Sequence, residues 1–479
     1  MTDTTTTVAE RDATGSPTAT PRPGLTLVAL GVAGLVVSLQ QTLVLPLLPR
    51  LMQTFDTSVS SVAWVFTATL LAGAVATPLL SRFGDMYGKK KMITLTMALL
   101  IVGSVVCALS DSLSMMIAGR ALQGAAAAVI PLAIGMIRDT FPREKVTSAI
   151  GVVSATLGVG GAFGMLVTGV VADNTDSHHP VFWISAAMAG IGLVFVVMFT
   201  TEAGKRTGGR PDLLGAATLA AWLVMLLLAI SQGNAWGWTD TRIIGLFVGI
   251  AVLLPLWVFL QLRSRDPLVR MGLLVGPRSL QANVASLLLG FAMFAGFTLV
   301  SNFIQTPEDK VGYGLSGSVL DVGLYMLPST VTMLLFSALA GRFEARLGAA
   351  WTLAIGSSIG GLSYVWLALN HGSAADVMIF SAIQGVGFGI AYAALGTLAV
   401  QHVPMEQSGI ASGINSLVRT VGGSVASAAT ASILTANVIQ NTSVPTVDAY
   451  VLCFVIAGIT AVLGAVTAAS HGLRYRTSG

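Results

Sequence analysis

Apolar stretches of about 20 residues, separated by short polar breaks, recur from about residue 25 to about residue 470. A helix needs roughly 20 apolar residues to cross a hydrocarbon layer. The pattern predicts spans at about 25–49, 60–80, 92–110, 113–136, 147–172, 181–200, 213–232, 243–262, 279–304, 318–341, 350–370, 376–400, 408–437 and 449–469. Residues 1–24 are rich in threonine and nearly free of large apolar side chains. They lack the basic stretch and small-residue cleavage site of a signal peptide. They read as a disordered cytoplasmic tail, with 471–479 as a second, short tail.

Composition agrees with the pattern. The chain is 54% hydrophobic and 10% charged, whereas a soluble domain carries roughly 25% charged residues. So little charge cannot cover a soluble chain of this length, and a bilayer is the second solvent it implies. The expectation is an all-α membrane protein. A net charge of +4 does not signal a nucleic-acid binder. Cys107 and Cys453 sit inside apolar runs and read as small hydrophobes rather than a disulfide or metal pair. No cofactor or metal is expected. Neither a phosphate-cradling P-loop nor an HExxH or nucleophile-elbow motif is present, which argues against ATP-driven pumping and against an enzyme.

The basic residues are segregated. With the N-terminus inside, the inner segments hold 20 of the 25 lysines and arginines. Only Arg50, Arg242 and Lys310 fall outside, while Arg120 and Arg419 fall within spans. This bias follows the positive-inside rule and predicts both termini in the cytoplasm, with an even number of spans. Trp183, Trp236, Trp238 and Trp351 fit the ends of spans.

An internal repeat is also visible. Leu79-Leu-Ser-Arg-Phe-Gly-Asp-Met-Tyr-Gly88 parallels Leu339-Ala-Gly-Arg-Phe-Glu-Ala-Arg-Leu-Gly348 at an offset of 260. Ala121-Leu-Gln-Gly124 parallels Ala382-Ile-Gln-Gly385 at 261, and Glu144, Gly151, Ser154, Gly160 and Gly161 match Glu406, Gly413, Ser416, Gly422 and Gly423 at 262. The near-constant offset, eight spans long, predicts two parallel six-helix halves, 25–200 and 279–470, with two linking helices in 201–278. Repeats of this kind place a substrate path between the halves, near the midplane.

Several segments bear chemistry. Ser81-Arg-Phe-Gly-Asp85-Met-Tyr-Gly88-Lys-Lys-Lys91 offers Asp85 to cap the start of helix 3 and bridge to a neighbouring helix, Gly88 for a tight turn, and Lys89 and Lys90 on the cytoplasmic side. The segment is either ordinary basic flanking sequence or a latch at the cytoplasmic closure between helices. Helix 4 carries Arg120-Ala-Leu-Gln123-Gly124. An arginine at membrane depth is costly unless it meets a cavity or a partner, so Arg120 is either a cavity residue or a structural one bonded to carbonyls. Asn415 and Arg419 lie i, i+4 on one face of helix 13. Helix 5 is dense in glycine, with Gly160, Gly164 and Gly169 suited to close helix packing.

Together these motifs resemble the major facilitator superfamily, and its fourteen-helix drug:proton antiporter branch in particular. The loop after helix 2 matches the superfamily signature apart from Ser81 in place of its first glycine. Arg120, Gln123 and Gly124 match its Arg-x-x-Gln-Gly motif. The antiporter motif Gly-Pro-x-x-Gly-Gly is only partly kept at Gly164-Met165-Leu166-Val167-Thr168-Gly169, and the acid of the Leu-Asp-x-Thr pattern in helix 1 is Gln40. The resemblance implies the major-facilitator fold, alternating access and proton-coupled export of small amphipathic molecules across a bacterial cytoplasmic membrane. The partners it implies are a small-molecule substrate, protons and membrane lipid, and a monomer is expected. The polar candidates for lining the path are Gln40, Gln41, Trp64, Arg120, Gln123, Asn283, Asn302, Tyr325, Tyr364, Gln384, Tyr392, Asn415 and Arg419. Asp321, at a helix start, and Glu406, just before helix 13, are the coupling candidates. Two other readings stand beside this one: an importer or facilitator of an anionic metabolite, and a non-transporting scaffold or sensor.

Overall fold

The computed structural model describes residues 23–475 except 45, 46, 58, 63, 176, 203, 205, 207, 209–211, 402 and 441–443. Of the tails expected at 1–24 and 471–479, residues 1–22 and 476–479 lie outside the described residues, while helix begins at Pro23 and runs on to Tyr475. Within them, 14 helices are long and apolar enough to cross a membrane. They are α1 (Pro23–Thr42), α2 (Trp64–Tyr87), α3 (Lys89–Ala108), α4 (Leu113–Thr140), α5 (Arg143–Asn174), α6 (His179–Phe199) and α7 (Leu213–Trp236). There follow α8 (Thr241–Arg263), α9 (Pro277–Gln305), α10 (Val319–Leu347), α11 (Ala349–Leu369), α12 (Ala374–Gln401), α13 (Ser408–Ala436) and α14 (Val447–Tyr475).

Helix ends are set locally. Asp212 accepts the Gly215 N–H and starts α7. Ser318 and Asp321 form a reciprocal capping box at α10. Gly88 (φ 121°) alone separates α2 from α3, and Gly348 (φ 80°) alone separates α10 from α11. Both hold left-handed backbone that a side chain resists. The signature segment 81–91, expected as a loop, is therefore almost entirely helix. Hydropathy marks only the apolar part of a span, whereas the hydrogen-bonded turns run on past the hydrocarbon into polar surroundings.

Two cores divide the bundle. Leu30, Val36, Met97, Leu100, Val129 and Ile150 pack together among α1–α6, and Leu289, Leu299, Leu353, Phe380, Leu395 and Phe454 among α9–α14. Glycine lets helices close at the seams. A Cβ on Gly160 would lie 2.5 Å from the Ser38 Cβ of α1, and one on Gly151 would lie 2.2 Å from the Ser337 carbonyl oxygen of α10. The pair α7–α8 joins the halves from outside: Leu219, Leu223 and Trp257 pack with Ala74 of α2 and Ile410 of α13. The outer face of α8 leaves Phe247, Val252 and Leu262 exposed, an apolar surface suited to lipid.

Candidate functional site

The polar side chains expected to line one path fall into separate groups. In the first half Arg120 is 0% exposed. Its Nε donates to the Val65 carbonyl at 3.2 Å, and its Nη1 to the Gln40 carbonyl at 3.3 Å and to Gln123 Oε1 at 2.8 Å. Gln123 Nε2 donates to Ser104 Oγ at 2.8 Å, which touches Ser185, and Ser185 donates in turn to Gln40 Oε1. The network ties α1, α2, α3, α4 and α6 inside one half. It holds Arg120 by backbone carbonyls, the structural alternative of the two that the sequence allowed.

The second half repeats this frame. Gln384 Nε2 donates to the Tyr364 hydroxyl at 3.1 Å, as Gln123 does to Ser104 at offsets of 261 and 260. Ser381 Oγ donates to the Tyr325 carbonyl at 2.9 Å, as Arg120 does to that of Val65. Tyr364 is fully buried and donates to the Ala292 carbonyl. Asn283 bonds the carbonyls of Leu273 and Leu274. Gln384, Tyr364 and Ser381 hold helices together within the half, and Asn283 ties it to the linking segment.

Between the halves lies a small cavity of about 10 Å³, room for about one water molecule. α4 contributes Ile130, Pro131 and Ile134; α5, Ser154; α12, Tyr392 and Gly396; and α13, Ser412, Asn415, Ser416 and Arg419. Of the expected lining residues only Tyr392, Asn415 and Arg419 are here. The guanidinium of Arg419 stands 5.2 Å from the centre of the Tyr392 ring and donates to Ser416 Oγ at 3.0 Å. The Tyr392 hydroxyl is buried without a hydrogen-bond partner. Asn415 Nδ2 donates to the Ala282 carbonyl at 3.3 Å. Among the described residues no carboxylate lies within ion-pair distance of Arg419. Ser412 and Ser416, missed at first, occupy the Arg419 face at helical spacing and were legible from it. Gln41, Trp64 and Tyr325 are half-buried and Asn302 is exposed, all away from this cavity.

The face that carries the α2–α3 and α10–α11 turns, here the basic face, is closed by a bridge between halves. Asp85 accepts the N–H groups of Gly409 at 3.2 Å and Ile410 at 2.9 Å, at the start of α13. A carboxylate there meets unpaired donors and the positive end of the helix dipole. Lys89 Nζ lies 3.2 Å from Asp85 and 2.7 Å from Asp139. Asp85 does not cap α3: the Lys90 and Lys91 amides face the carboxylate of Glu202, while Lys90 Nζ donates to the carbonyls of Val197 and Thr200. Arg138 adds a second tie, donating to the Val403 carbonyl at 2.7 Å. Asp321 serves its capping box, and Glu406 sits half-buried in the turn before α13.

A family model described as Major Facilitator Superfamily matches residues 30–427 and, a second time, 283–474. The chain belongs to this family of membrane transporters, which are not enzymes. Among curated relatives, the multidrug resistance protein Stp of Mycobacterium tuberculosis is 27% identical over 86% of this chain and 76% of its own length. The tetracenomycin C resistance and export protein of Streptomyces glaucescens is 27% identical over 85% and 75%. The crystal structure of the human organic anion transporter MFSD10 (TETRAN) superposes with a TM-score of 0.66 at 14% identity, covering 94% of this chain and all of that one, a likeness of fold.

Proposed function

We propose that this transporter exports drug-like or natural-product amphiphiles from a bacterial cell in exchange for protons, with both termini in the cytoplasm. The halves 25–200 and 279–470 rock about the central cavity, and 201–278 links them. The observation that carries this reading is the position of Arg419, Tyr392 and Asn415 in a cavity between the halves, above a bridged basic face. The small volume corresponds to a closed form, since drug-sized ligands occupy several hundred Å³. The names of the two bacterial relatives support resistance and export as the task. Arg120 bonds carbonyls and Gln123 away from the cavity, whereas Arg419 lines it and is the cation placed to meet a substrate. With no carboxylate within ion-pair distance of it among the described residues, the cavity favours neutral or acidic amphiphiles over dications.

Purified protein in liposomes with an imposed pH gradient tests this. An acidic amphiphile is transported and dissipates the gradient, a dicationic dye is carried poorly, and Arg419→Gln lowers acidic-substrate transport by about tenfold, the equivalent of one lost charge-assisted contact. Equal transport of dication and acid, or an unchanged Arg419→Gln rate, removes the substrate assignment. A gradient that has no effect on flux removes proton exchange.

A further inference from the structure

The repeat that places Asp85 on α13 also places an acid on α5, and the two differ in one respect. Glu344, in the last turn of α10, receives a hydrogen bond from the Thr147 hydroxyl of α5 at 2.8 Å. Thr147 is the repeat counterpart of Gly409 at the offset of 262, and Glu344 lies one position before the counterpart of Asp85. The Thr397 hydroxyl of α12 stands 3.5 Å from that of Thr147. An acid thus bridges the halves at each of two symmetry-related seams on the basic face. Asp85, however, has Lys89 beside it and two backbone N–H donors. At the second seam the counterpart of Lys89 is Ala349. Glu344 Oε1 is buried with no hydrogen-bond partner.

Its charged surroundings are sparse. On its own helix Arg342 and Arg346 are exposed, and on α5 so are Glu144 and Lys145, which follow Arg143 in sequence. α11 carries no charged residue, α12 carries Asp376 at its far end, and α9 carries Arg278 in its first turn. Among the described residues no cation lies within ion-pair distance of Glu344. An ionised carboxylate buried without a cation or a full set of donors is costly. A neutral carboxylic acid fits, because it can donate its proton to a threonine hydroxyl, and a hydroxyl both donates and accepts.

We propose that Glu344 is a proton-binding site whose occupancy locks the seam between α5 and α10 on the basic face. With the seam closed, the carboxyl sits among hydroxyls and binds a proton. When the seam opens, water reaches the group, the proton leaves to solvent, and the ionised form holds the seam apart. Closure and proton binding are linked, so acid favours the closed face and alkali the open one. The idea rests on the alternating-access reading, but the seam can be followed without any transport.

The test is a distance measurement on purified protein. Spin labels go on Lys145→Cys and Arg346→Cys, one on each side of the seam; native Cys107 and Cys453 are buried and do not label. Between about pH 5 and about pH 9, spanning the range of a buried carboxyl, the short-distance population falls by about tenfold in the otherwise native protein. Glu344→Gln keeps the short distance at every pH. Thr147→Val, which removes the donor to the ionised form, moves the midpoint to higher pH. A distance that ignores pH, or one that titrates unchanged in both variants, overturns the proposal. Absent proton-driven flux with this titration intact would sink the exchange reading and leave the lock standing.

Discussion

A guanidinium sealed in an apolar bundle has to find oxygen atoms. Arg120 finds the carbonyls of Gln40 and Val65 and the amide of Gln123, whereas Arg419 has one serine and a tyrosine ring. Sequence showed two arginines at membrane depth. It could not tell them apart, because the carbonyls that take up Arg120 Nε and Nη1 come from other helices and leave no side-chain signature. The contrast has a measurable consequence. Arg120→Leu strands Gln123 Oε1 and the Gln40 carbonyl, while that of Val65 keeps Thr69, and lowers stability by about 2–4 kcal/mol, the cost of several charge-assisted bonds. Arg419→Leu changes stability by about 1 kcal/mol or less, since its partners keep access to the cavity. Thermal unfolding of the detergent-solubilised variants checks this, and equal losses for the two would contradict the separation of roles. Glu344 was visible in the repeat but unremarked, because its meaning comes from the absence of a lysine at position 349.

Among the elements, α5 packs closely against α1 in its own half and α10 in the other. Its glycines look alike in sequence but meet different neighbours. A Cβ on Gly164 would lie 2.4 Å from Thr42 Oγ1 and 2.6 Å from the Leu39 carbonyl oxygen of α1, while one on Gly169 would reach Leu320 of α10 at 3.8 Å, ordinary contact. The α1–α5 seam is further pinned by Thr42, which donates to the Gly161 carbonyl at 2.7 Å, and by Thr168, which donates to that of Leu43 at 2.9 Å. Gly164→Ala therefore forces α1 and α5 apart and costs about 1–3 kcal/mol. Gly169→Ala is tolerated and gains slightly from helix propensity. Expression level and melting temperature of the two variants decide it: if Gly169→Ala is the more damaging, the seam has been misplaced. Spans were legible as elements because about 20 apolar residues in a row have few alternatives to a helix. Their ends were not, since the last turns of α2 and α10 are polar and held by contacts with the other half.

At the scale of the molecule, the repeat proved the most informative signal. It led to the two halves, and the matched bonds Gln123–Ser104 and Gln384–Tyr364 show that it extends to the polar frame. The small central cavity was not legible, because which face of a helix looks inward depends on its neighbours. Orientation rests on charge. An even number of crossings puts both termini on one face, and that face gathers most of the basic residues, including Lys89, Lys90, Lys91, Arg138, Arg342 and Arg346. Lysine and arginine resist transfer across the membrane during insertion, so a 20-to-3 split between the two sides supports the proposal that the basic face is cytoplasmic. A reporter active only in the cytoplasm, fused after Gly479, is therefore active, and the same reporter inserted in the α7–α8 turn at Gly237 is silent. The paired insertions separate orientation from span count. Reversed activity at both sites overturns the orientation, whereas activity at both or neither overturns the odd number of crossings, α8 to α14, between them.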